Sequence, residues 1–174
     1  MDPVVDLTLR TAMALVFVAA ASHKLRDPGR FRATLAEYRL LPEGLAPLVA
    51  VAEVAAAGAL LVPGTRAAGL LAAAVLLLVY GAAIAINLAR GRRDIDCGCA
   101  GPGVRRPISG WLVARNAALA AAALVGLAPV HPRGLVWVDA VTVAGATAAL
   151  AACYASLDRM IAHASLLSRL RGGA

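Results

Sequence analysis

The stretch AAGLLAAAVLLLVYGAAIAINLA, residues 67–89, runs for 23 positions without a charged side chain. A helix rises 1.5 Å per residue, so roughly 20 apolar residues cross the ~30 Å of bilayer hydrocarbon. This run meets that length, and the reading it forces is a membrane-spanning helix. Four further apolar runs flank it, at 4–22, 45–62, 110–128 and 135–157. Pro42 and Pro63-Gly64 bound the second run, and Pro129 and Pro132 follow the fourth, where a helix should stop. The expectation is an all-α, polytopic membrane bundle of about five spans.

Composition supports it. The 174 residues are 61% hydrophobic, 4% aromatic and 16% charged, against roughly 45–50% apolar in a soluble domain. A soluble single-domain enzyme is excluded. The net charge of +7 sits in the segments between the apolar runs, so it reflects membrane orientation and implies no nucleic-acid partner. The first run has the length of a signal-peptide core, but Asp2 and Asp6 ahead of Arg10 do not make a basic n-region. Asp6 and Arg10, spaced i, i+4, are placed to pair at the membrane edge. With no internal repeat, low-complexity linker or second domain, residues 1–174 read as a single integral membrane domain in the lipid bilayer.

Five spans alternate the connecting segments between two sides. One side carries Arg10, Arg66 and Arg133. The other carries Lys24, Arg26, Arg30, Arg32, Arg39, Arg90, Arg92, Arg93, Arg105, Arg106, Arg159, Arg169 and Arg171. The charge rule makes the second side cytoplasmic, with the N-terminus outside and the C-terminus inside a bacterial inner membrane. Two segments on that side read as short interfacial helices. Asp27 is a cap and Pro28 suits a first turn, with Phe31, Leu35 and Tyr38 on one face. The tail, residues 157–171, is amphipathic, with Leu157, Met160, Ile161, Ala164 and Leu167 on its apolar side.

The chemistry points to the loop Asp96-Cys97-Gly98-Cys99. Two thiols at i, i+2 bridge only across a sharp fold, which Gly98 permits. Closing so small a loop removes little chain entropy, so a bridge there suits exchange better than stapling. Arg92, Arg93, Arg105 and Arg106 favour a thiolate, while Asp94 and Asp96 oppose it. Half of a soft-metal site and two inert thiols are the other readings. A zinc site needs two more ligands; Cys153, His23 and His163 fall toward the same face, but none has ligand spacing to another. No metal is assigned. Cys153 reads as a small buried core residue, or as a resolving thiol.

Ionisable groups inside spans are expensive and normally face a partner or cavity. Glu53 lies ~12 Å into the second span and Arg115 ~8 Å into the fourth from the same side. The matched depths predict a Glu53–Arg115 pair, with Asn87, Asn116 and Lys24 near its inner end. The cluster is either a register-fixing ion pair or part of a site beneath Cys97 and Cys99.

The run from Ser22-His23-Lys24-Leu25, through Phe31 and Tyr38-Arg39-Leu40-Leu41-Pro42, to Glu53, Gly58, Asn87-Leu88-Ala89-Arg90-Gly91, Asp96-Cys97-Gly98-Cys99-Ala100-Gly101 and Arg115-Asn116 resembles the methylamine utilisation protein MauE family. That family is similar in turn to DoxX-like membrane proteins, and in outline to quinone-linked thiol oxidoreductases. Ala100 stands where the family usually has an aromatic residue. The resemblance implies a four-helix core and a role in maturing a periplasmic quinoprotein, methylamine dehydrogenase, whose small subunit is rich in disulfides. It also implies a thioredoxin-like partner, fixes no cofactor, and leaves a quinone open. The charge rule puts Cys97 and Cys99 on the cytoplasmic side while such a client matures outside. An opposite orientation, a loop dipping into the bundle, or exchange with a cytoplasmic thiol pool would each reconcile the two. The leading expectation is a thiol–disulfide redox protein. A noncatalytic membrane assembly factor is the alternative, and a transporter or metal-handling protein is less favoured by the small size and lack of broken helix repeats.

Overall fold

The computed structural model describes residues 1–97 and 107–171. It is helical, with α1 at Pro3–Arg26, α2 at Pro28–Tyr38, α3 at Ala46–Leu61, α4 at Arg66–Ala89, α5 at Gly110–Val125 and α6 at Trp137–Arg171. Among the described residues, four helical stretches are long and apolar enough to cross a membrane: Pro3–Arg26, Glu43–Leu61, Pro63–Ala89 and Trp137–Leu157. The fifth expected run folds as α5, whose 16 residues span ~24 Å, short of the hydrocarbon thickness. Its C-terminal end is cut by the turn leading to Pro129, because the residue before a proline is pushed out of helical conformation.

The core is a four-helix arrangement. Met13, Ala14 and Phe17 of α1 meet Ala57 and Leu60 of α3, Leu70, Ala73, Ala74 and Leu77 of α4, and Ala120 and Ala123 of α5. Lipid supplies no hydrophobic drive for helices to associate, so small side chains that let backbones close in take over that role. Alanine dominates this core for that reason. At Gly69 a Cβ would stand 2.6 Å from the backbone of Ala59 and Leu60, so α4 crosses α3 where only glycine fits. The outward faces present Leu48, Val51, Val75 and Leu78, each more than half exposed, as a surface for lipid chains.

α6 packs on α1, where Thr11 and Thr147 share a 2.8 Å hydrogen bond. Its membrane window is only 6% buried, which makes it a peripheral helix. The tail expected as a separate interfacial helix continues α6 without a break to Arg171.

The chain ends of the helices gather into two opposed polar layers. In the first, Arg10 donates to Leu60 O at 2.6 Å and Val62 O at 3.2 Å and pairs with Asp6 at 3.3 Å. Arg66 pairs with Asp6 at 2.7 Å and donates to Gly126 O and Ala128 O. The anticipated Asp6–Arg10 pair is therefore present, with Arg66 as an unanticipated third member. Two guanidinium groups thus satisfy carbonyls at and just beyond the C-terminal ends of α3 and α5. Arg133 bridges Asp2 and Asp139, tying α6 to the start of α1. The hydrogen bond from Arg133, and then that from Val4 N, holds the exposed Asp2 carboxyl below its usual range. The opposite layer holds α2 and the segment that follows α4.

Candidate functional site

α1 carries Lys24 in its last turn, and α3 carries Glu53 at a fully buried position. Lys24 Nζ lies 2.6 Å from Glu53 Oε1, and Tyr80 of α4 donates its hydroxyl to the same oxygen at 2.9 Å. The ammonium also sits 5.1 Å from the Phe31 ring centroid and 5.6 Å from that of Tyr80, within cation–π range. One buried cation is thus held by a carboxylate and two aromatic faces. Glu53 Oε2 and His23 Nδ1 are buried with no hydrogen-bond partner among the described residues.

The pairing expected of Glu53 with Arg115 does not occur. Similar depth fixes position along the bundle axis, not around it. The buried stripe of α5 runs through Leu112, Asn116, Ala120 and Ala123, and Arg115 is one residue, about 100° of helix turn, off that stripe. Its guanidinium lies 5.6 Å over the Tyr154 ring of α6. Asn116 is buried and donates to Leu112 O at 2.9 Å within its own helix.

Asn87, fully buried in the last turns of α4, donates to Tyr38 O at 3.2 Å and Ala83 O at 3.1 Å. It accepts from Arg92 at 3.0 Å, and Arg92 also donates to Glu37 O at 2.7 Å. Gly91, with φ of 73°, ends α4 in the left-handed conformation that glycine tolerates. Arg92 N then reaches Asn87 O and Gly91 N reaches Leu88 O, a Schellman stop. That turn directs the chain back beneath α2.

The segment leading to the thiols is fixed on both flanks. Ile108 N donates to Ile95 O at 3.0 Å, and Asp96 forms an antiparallel bridge with Pro107. Asp96 is buried and pairs with Arg30 of α2 at 2.7 Å. α2 begins as read, with the Asp27 side chain accepting from Arg30 N at 3.0 Å. Thr34 and Tyr38 are its buried residues, so it docks on the protein as well as facing the interface. Cys97 is partly buried and packs against a cluster of Tyr38, Ile84, Ile95, Ile108 and Leu112. Cys99, Arg105 and Arg106 lie outside the described residues. Cys153, expected to be buried or resolving, is exposed on α6. Among the described residues no group of three His, Cys, Asp or Glu side chains is placed to hold a metal ion.

Lys24 and Glu53 come together as one cluster, and Asn87 joins the anchored loop through Tyr38 and Arg92. Tyr80, Arg30, Arg92 and Asp96 complete the arrangement, and the sequence reading gave none of them a partner there. Tyr80 had a visible signal, since Tyr80, Ile84 and Asn87 share one helix face by i, i+4, i+7 spacing. Arg30 and Asp96, 66 positions apart, had none.

The fold and this site define a multi-pass α-helical membrane protein with a cysteine-bearing loop anchored at one end of its bundle. The sequence profile of methylamine utilisation protein MauE matches residues 2–129. The chain is 43% identical over 163 residues to methylamine utilization protein MauE of Paracoccus denitrificans, covering 90% of this chain and 88% of that one. It is 40% identical over 180 residues to that of Methylorubrum extorquens, covering 99% and 92%. It is 36% identical over 170 residues to that of Methylophilus methylotrophus, covering 92% and 87%. The chain belongs to the methylamine utilisation protein MauE family. No solved structure matches it significantly.

Proposed function

We propose that this protein is a membrane thiol–disulfide exchange protein that serves the maturation of methylamine dehydrogenase. The Cys97–Cys99 pair is its reactive couple and the small subunit of that enzyme its periplasmic client, with a thioredoxin-like protein as exchange partner. The observation that carries the reading is the fixed setting of Cys97. Asp96 is clamped by Arg30, the backbone on both flanks is paired, and Cys97 is only partly buried. A structural cysteine needs no such access.

In the exchange, the thiolate of one cysteine attacks a partner disulfide and one partner thiolate leaves; the second cysteine then attacks the first cysteine's sulfur in the mixed disulfide and the other partner thiolate leaves. The pair ends as a disulfide and the partner as a dithiol; the reverse sequence transfers the electron pair the other way. No outside oxidant enters this balance. Lys24, Glu53 and Tyr80 form the buried polar floor on the membrane side of this layer. By the charge rule the strongly basic layer faces the cytoplasm, with the N-terminus outside; to serve a client that matures outside, the Cys97–Cys99 loop either dips into the bundle or exchanges with a cytoplasmic thiol pool.

The test is client maturation in cells that carry Cys97→Ser/Cys99→Ser in place of the native chain. Loss of disulfide-bonded small subunit at unchanged membrane levels of the variant is expected. Full maturation by the double variant would leave the noncatalytic assembly role instead.

A further inference from the structure

Arg30 stands on α2, yet its charge is spent on the residue immediately before Cys97. The Arg30–Asp96 pair is short at 2.7 Å, and the Asp96 side chain is only 6% exposed. Asp96 directly precedes Cys97, and adjacent Cα atoms are 3.8 Å apart, so the carboxylate lies within electrostatic range of the thiol. A bare carboxylate at that range disfavours a thiolate, and a guanidinium paired with it cancels most of that field.

We propose that Arg30 is a positioning residue that keeps the Cys97 thiol reactive by neutralising Asp96 and holding it in place. The inference rests on the exchange reading of the Cys97–Cys99 pair. The titratable and charged groups described on the elements around Cys97 are Arg30, Arg32, Glu37 and Tyr38 of α2, and Arg90, Arg92, Arg93, Asp94 and Asp96 following α4; Arg105 and Arg106 lie outside the described residues. Arg92 is engaged with Asn87 and Glu37 O, and Arg115 of α5 lies over Tyr154. Arg30 is the cation shown in contact with the carboxylate beside the sulfur. It reaches that carboxylate from another helix.

The experiment reads alkylation of Cys97 by iodoacetamide across pH, in the full-length chain with Cys99→Ser and Cys153→Ser, reconstituted in lipid. Arg30→Gln should move the reactivity midpoint to higher pH and slow alkylation at neutral pH about threefold, the effect of one unit charge at ~6 Å in a medium near water. Arg30→Lys should restore most of the rate. Asp96→Asn added to Arg30→Gln should cancel most of the shift, since no carboxylate is left to neutralise. An unchanged midpoint in Arg30→Gln, or a shift that persists in the double variant, overturns the proposal. A midpoint that moves as stated while Cys97 and Cys99 never form a disulfide in cells would instead leave the electrostatic role standing and remove the exchange reading.

Discussion

The two polar layers of this bundle use buried charge in opposite ways. At the Asp6 end, Arg10 and Arg66 spread their donors over one carboxylate and four backbone carbonyls. At the Glu53 end, a carboxylate oxygen and a histidine nitrogen are buried with no partner among the described residues, and Cys97 in the same layer is only partly buried. Buried polar groups are normally satisfied, and each exception calls for an explanation. The first layer is a clamp, and the second keeps hydrogen-bonding capacity in reserve.

Substitutions on the two sides should therefore fail differently. The largest loss of stability is expected from Arg10→Leu. It orphans the carbonyl of Leu60, removes one donor from Val62 O, which Thr65 still bonds, and half-strips Asp6, at a cost of about 3–5 kcal/mol. Thermal unfolding in detergent would register it, and thiol reactivity of the protein that remains should be unchanged. Gly69→Ala comes next: its methyl group drives α4 off the backbone of Ala59 and Leu60, costing about 1–3 kcal/mol by overpacking. The same unfolding assay reads it, and a neutral result would mean that the helix crossing relaxes without loss.

Glu53→Gln should cost least in stability, about 1 kcal/mol. The Tyr80 hydrogen bond survives, and Lys24, in the last turn of α1, is long enough to snorkel toward water. Client maturation should nonetheless fall further than the amount of protein does. Equal falls in both would make the Glu53 cluster a second clamp and erase the distinction.

Much of this architecture is legible in the sequence because it is local. Runs of apolar residues matched to bilayer thickness announce the spans. Asp27 announces the start of α2, and i, i+4 spacing announces the Asp6–Arg10 pair. What could not be read is azimuth and long-range pairing. Counting residues inward from a span end gave the depths of Glu53 and Arg115, but not that Arg115 lies off the buried face of α5 while Lys24 and Tyr80 close around the carboxylate. The same limit hid Arg30 beside Asp96 and Arg66 beside Asp6, contacts between elements that no local periodicity encodes. The limit reached α6 as well: apolar length showed a span but not that it would sit at the bundle's edge and continue unbroken through the tail.

The most direct measurement is the redox state of Cys97 and Cys99 in native membranes, quenched with acid and resolved by thiol-reactive mass tagging. The account predicts two populations, dithiol and intramolecular disulfide, whose ratio shifts when the client is absent. The two-population pattern should vanish in either single serine variant. A pair found wholly reduced under every condition, in cells that mature the client normally, would contradict it.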